Sequence, residues 1–173
     1  MQNITLIKNP FNKGVIKALN QGLTLASSKY VVVIHNDVVI ETKNWIDKAI
    51  KFMEYDQTVG IVGIAGWTEL NKYGNYDTKD LITAITKYTR KPHGNFNEIA
   101  AADGCCNVIR NLNLEYNNDY GLMHFYDLDL SMQYRELGYR MFVMAASAQH
   151  LAEDRKKSTI TNSKYLDRIN AKE

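Results

Sequence analysis

Cysteine and proline are scarce, with two of each in 173 residues. The cysteines, Cys105 and Cys106, are neighbours, and a disulfide between adjacent residues violates the geometry that bond requires. A reduced, cytoplasmic setting is therefore expected, and with no further thiol or histidine nearby at cluster spacing the pair reads as buried small residues. Long apolar runs are missing too. Runs such as Tyr30 to Ile34 and Ile61 to Trp67 are far below the roughly 18 residues a membrane span needs, so no membrane span is expected. The start, Met-Gln-Asn-Ile-Thr, has no basic region leading into an apolar stretch, and no secretory signal is expected. Basic blocks are absent: 21 Lys and Arg face 19 Asp and Glu, for a net charge of +2, and nucleic acid is not the expected partner. Asn12-Lys13-Gly14 resembles no phosphate loop, and the Gly-rich dinucleotide fingerprint is missing, so P-loop and nicotinamide chemistries lose support.

What is present is 45% apolar and 23% charged sequence, enough for one hydrophobic core in one domain. Ile4 to Lys8 reads as a short strand, followed by a loop rich in breakers, Asn9 to Gly14. Ile16, Leu19, Leu23 and Ala26 recur at helical spacing. Tyr30-Val31-Val32-Val33-Ile34 is apolar and mostly β-branched, which predicts a central strand covered on both faces. Trp45, Ile46, Ala49, Ile50 and Met53 predict a second helix, capped near Thr42 to Asn44, before a buried strand from Gly60 to Ala65. This alternation implies an α/β fold with a parallel sheet, whose ligands gather at the carboxyl ends of its strands. Residues 67–97 read as a surface excursion with a short helix over Leu81 to Tyr88. Asp103-Gly104 interrupts a strand spanning 98–110. Tyr126-Asp127-Leu128-Asp129 opens a helix ended by Gly138, Arg140 to Ala146 makes a last strand leading to His150, and 153–173 is a polar tail with Tyr165, Leu166 and Ile169 as its only stripe.

Each candidate residue has a plain reading beside a chemical one. Asp37, in His35-Asn36-Asp37 at a strand end, can hold Mn2+ or Mg2+ beside a diphosphate, or it can simply cap a turn. Asp127 and Asp129 straddle a helix start, where capping competes with a general-base role for one of them. His150 is either a neutral imidazole ligand or a structural histidine. Trp67 can pack on a sugar face or in the core.

In chain order, Asn12-x-Gly14, Ala18-x-Asn20-x-Gly22, the strand ending His35-Asn36-Asp37, Asp103-Gly104, His124 to Leu130, Gly138-Tyr139 and His150 form one pattern. This resembles the family 2 glycosyltransferases of the GT-A fold, in the bacterial branch with His-x-Asp in place of Asp-x-Asp, over about residues 4–151. The resemblance implies a Rossmann-like, mostly parallel sheet flanked by helices, and inverting transfer of a sugar from a nucleoside diphosphate sugar, a UDP-sugar favoured, to a hydroxyl of a glycan or lipid-linked acceptor. It implies Asp127 as base, Asp37 and His150 as ligands of Mn2+ or Mg2+, and Asn12, Gly14, Asn20, His35, Asn36 and Trp67 around the donor diphosphate. Asp103, Gly104 and Asp129 would line the donor-sugar and acceptor site. Two departures stand out: His35 replaces the first acidic residue of the metal motif, and Tyr126 stands where many relatives have Glu. Residues 1–152 would form a GT-A domain lacking the family's first strand and helix, which would leave a sheet edge open to self-association. The expected setting is cytoplasmic, with the inner face of the membrane as the place to meet a lipid-linked acceptor. Two other readings stay open: a catalytically inactive GT-A-like binding or assembly module, and an unrelated α/β nucleotide-binding protein.

Overall fold

The computed structural model describes residues 5–70, 78–85, 90–120 and 125–151. In chain order the elements are α1 (Val15–Leu25), β1 (Tyr30–Ile34), β2 (Val38–Ile40), α2 (Trp45–Tyr55), β3 (Val59–Gly63), β4 (Ala65–Trp67), β5 (Leu81–Thr83), β6 (Phe96–Ile99), β7 (Ala101–Ala102), β8 (Cys106–Arg110), α3 (Tyr126–Glu136), β9 (Arg140–Met144) and β10 (Ala148–His150). Five strands form the main sheet in the order β1-β8-β3-β9-β6. Strands β1, β3 and β9 run one way, while β8 and β6 oppose them. Two small sheets, β5-β4-β7 and β10-β2, flank it.

Alternating side chains explain why the strands read as continuous apolar runs. Val33 of β1, Ile61 of β3, Ile109 of β8 and Met141 and Val143 of β9 join one core with Ile16 of α1 and Leu128, Leu130 and Tyr134 of α3. Their neighbours Val62, Val108, Phe142 and Met144 join a second with Ala49 and Met53 of α2. The sheet is thus covered on both faces, as the α/β reading requires. No helix among the described residues is long and apolar enough to cross a membrane.

Three expectations change. Strand β1 is an edge strand rather than a central one: it pairs only with β8 among the described residues, because β8 inserts between it and β3. Ile34 is correspondingly exposed, and an apolar groove of about 260 Å3 runs along β1 and α1, lined by Leu19, Gly22, Leu23, Val31 and Ile34. Residues 5–8 form no strand; Leu6 and Ile7 are exposed and have no ladder to join. Leu81–Thr83 is strand, not helix, because pairing with β4 outweighs a weak helical period; residues 86–89 lie outside the described set. The N-cap of α2 falls within the expected stretch, at Asn44, but with φ 56° and no side-chain bond, while Thr42 Oγ1 accepts the Ser147 N–H at 2.7 Å. The polar tail and His124 also lie outside the described residues.

Arg110 fastens the second core. Its guanidinium donates to the carbonyl oxygens of Val59 (3.2 Å) and Met53 (2.8 Å) and to Tyr30 Oη (3.3 Å), and lies between the Tyr30 and Tyr139 rings. Arg110→Leu would leave two buried carbonyls unpaired, so a loss of about 3 kcal/mol is expected, read as a lower urea midpoint at unchanged slope.

Candidate functional site

Three residues after β1 make a turn, closed by Val38 N–H donating to His35 O at 3.2 Å. The antiparallel β2-β10 ribbon places His150 opposite Val38, and Leu151 N–H donates to Asp37 O at 2.7 Å. The ribbon thereby brings His150 Nε2 to 3.2 Å from Asp37 Oδ1, and the His35 and His150 rings to 5.9 Å. Ligand atoms of His35, Asp37 and His150 all lie within 4.8 Å of one another, each on a half-buried side chain. Asp37 Oδ1 is buried without a hydrogen-bond partner. A buried carboxylate oxygen 3.2 Å from one imidazole nitrogen, with a second imidazole beside it, is a donor set that suits a divalent transition metal. With two nitrogen ligands it fits Mn2+ better than Mg2+, which prefers oxygen. The residues present therefore fit a metal ion.

The adjoining turn joins this group to α3. His35 N–H donates to Cys105 O at 2.9 Å. Asp103 shapes the turn: its Oδ1 accepts the Cys105 N–H (2.9 Å), and its carbonyl accepts from Asn107 Nδ2 (2.8 Å). Gly104 N–H then donates to Asp127 Oδ2 at 3.0 Å, and Leu128 N–H to Asp127 Oδ1 at 2.9 Å. A Cβ on Gly104 would fall on the Tyr126 hydroxyl and 2.7 Å from Cζ, so only glycine fits beneath that ring. Tyr126 in turn reaches His35: Oη lies 2.8 Å from Nε2.

The electrostatics distinguish the acids. Burial, then the nearby Asp103 charge, push the Asp127 carboxyl up to about 7, against the pull of the Gly104 and Leu128 N–H groups. Burial also keeps Tyr126 a neutral hydroxyl. Cys105 and Cys106 are buried unpaired thiols, and burial pushes Cys106 up to about 12.

Comparison with known proteins bears on the family and the fold. The model of a family described as "Glycosyltransferase like family" matches residues 3–173. The chain belongs to this glycosyltransferase-like family. The crystal structure of GalNAc-T7 with UDP, GalNAc and Mn2+ superposes with a TM-score of 0.69 at 13% identity, over 95% of this chain and 36% of that one. The likeness is one of fold, GT-A, and this chain spans about a third of that protein's length. A search of curated protein sequences finds no match.

Within this glycosyltransferase-like fold, the candidate residues divide by position. His35, Asp37, His150, Asp103, Gly104 and Asp127 are linked by the contacts above, and Asn36 is exposed at the tip of the turn. The others make none of these contacts. Trp67 is 5% exposed within the core, so its ring has no open face for a sugar. Asn20 is buried, with its amide bracketing the Tyr116 backbone: Nδ2 donates to Tyr116 O (2.7 Å) and Oδ1 accepts the Tyr116 N–H (2.8 Å). Asp129 is 1% exposed and accepts from Gln133 Nε2. Asn12 accepts the Gly14 N–H in the exposed turn before α1, where Gly14 has φ 80°. Tyr126, whose hydroxyl meets His35, is the residue that motif reasoning passed over; its one signal was the departure from Glu before the base.

Proposed function

We propose that this chain transfers a sugar from a nucleoside diphosphate sugar, a UDP-sugar favoured, to an acceptor hydroxyl with inversion. The observation that carries the reading is the linkage of a three-residue metal-ligating group to a carboxyl held near neutrality, through one turn and one tyrosine. His35, Asp37 and His150 would hold Mn2+, which when bound supplies positive charge for the departing diphosphate. Asp127 accepts the proton of the attacking hydroxyl, its carboxylate aimed by Gly104 and Leu128. Asp103 and Gly104 line the donor-sugar and acceptor side, and Asn36 faces the diphosphate. A single direct displacement, with one base and no enzyme nucleophile, inverts the sugar carbon. The acceptor is a glycan or a lipid-linked sugar.

Calorimetry on the full chain tests the proposal. UDP should bind with measurable heat in the presence of Mn2+ and much less after chelation, and a UDP-sugar should be hydrolysed or transferred only with metal. The absence of heat with uridine, guanosine and thymidine diphosphates, with and without Mn2+, would instead make the chain a GT-A-like module without catalysis.

A further inference from the structure

We propose that Tyr126 is a positioning residue that orients His35 for the metal and holds the Gly104 turn against Asp127. The proposal rests on the metal-site reading above. A tyrosine 6% exposed among Leu128, Leu130 and Tyr116 could serve as core filling alone, and phenylalanine would fill that space as well. The hydroxyl is what core filling does not require. It lies 2.8 Å from His35 Nε2, and a hydrogen bond at one ring nitrogen fixes both the rotation and the tautomer of a ligating imidazole. The ring has a second duty: it occupies the space above Gly104, whose N–H binds Asp127 Oδ2. One side chain therefore touches both halves of the site.

Its own placement is built from behind. The Tyr116 ring meets Tyr126 edge-on, at 5.5 Å between centroids and 64°. The Tyr116 backbone is gripped on both sides by the Asn20 amide. Asn20, which the resemblance placed at the donor diphosphate, thus reaches the site through two tyrosines.

The test is Mn2+ titration of the full-length Tyr126→Phe variant without nucleotide, read by electron paramagnetic resonance of free Mn2+. Loss of an outer partner of this kind typically weakens metal binding about 10–100-fold, and that is the expected shift, with an apo melting curve close to wild type. Wild-type affinity in the variant overturns the proposal while leaving the metal site standing. A wild-type chain that binds no Mn2+ removes the metal site itself, and this inference with it. Should the variant fail to fold, 15N shifts of the His35 ring in the apo wild-type chain decide: one fixed tautomer supports the role, and a freely exchanging mixture overturns it.

Discussion

Asp127→Asn should lower turnover of a UDP-sugar by about 10²–10⁴-fold, the range a positioned general base contributes, while the chain still folds. Asparagine offers one carbonyl to the two N–H groups that Asp127 now accepts, so the Gly104 turn loosens slightly; a loosened turn does not account for a loss of that size. The wild-type pH profile carries a second signature. Burial and Asp103 raise the carboxyl to about 7, and the base works only when ionised, so kcat/KM should climb through that pH and level off above it. Asp103→Asn removes the like charge and should shift the limb to lower pH. Stability runs the other way. A carboxyl whose folded value is raised above its ordinary 3.8 favours the fold when protonated, so its contribution is complete below about pH 4 and is lost as pH rises through 7. Melting curves at pH 5 and pH 8 should therefore differ less in Asp127→Asn than in wild type. Equal differences would remove burial as the cause of the raised value.

Asp37→Asn should nearly abolish metal binding, because it removes the sole carboxylate among the three ligands. A loss above about 100-fold is expected, beyond that of an outer partner. Thermal shift shows it without any sugar. A ligand at 100 times its Kd stabilises the folded chain by about 2.7 kcal/mol, so Mn2+ should raise the wild-type midpoint and leave the variant's unmoved. In metal-free buffer the variant should lose no more than about 1 kcal/mol, the worth of the partly exposed contact between Asp37 and His150. A variant that still responds fully to Mn2+ would move the metal elsewhere on the protein.

Much of this was legible before any coordinates. Helices α1 and α2 follow apolar stripes of period 3.6, and the end of α3 is marked by Gly138, whose φ of 82° suits a residue without Cβ. Strands β1, β3 and β9 stand out because both their faces are covered. The β2-β10 ribbon does not, since three-residue strands have no period to read and their partner is more than 100 residues away. The insertion of β8 beside β1 is likewise a long-range choice that no local window records. At the site, His35, Asp37, His150 and Asp127 are legible because they fall in one ordered pattern of motifs, at strand ends and at a helix start. Trp67 and Asp129 could not be separated from them, because burial depends on neighbours distant in sequence. Tyr126 reads in the sequence only as a departure, because the partner of its hydroxyl lies 91 residues away.

The ribbon that carries His150 has a dynamic consequence. Two short strands at the margin of a domain open locally far more often than the central sheet unfolds, and each opening withdraws one imidazole from the other two ligands. Ion exchange is then governed by fraying of β10 rather than by global unfolding, and a bound ion, in closing that flap, would slow amide hydrogen exchange in Gln149 and Val39 while leaving the main sheet's rates as they are. A metal ion held by these three residues would thus double as a clasp, its lifetime set by a three-residue ladder.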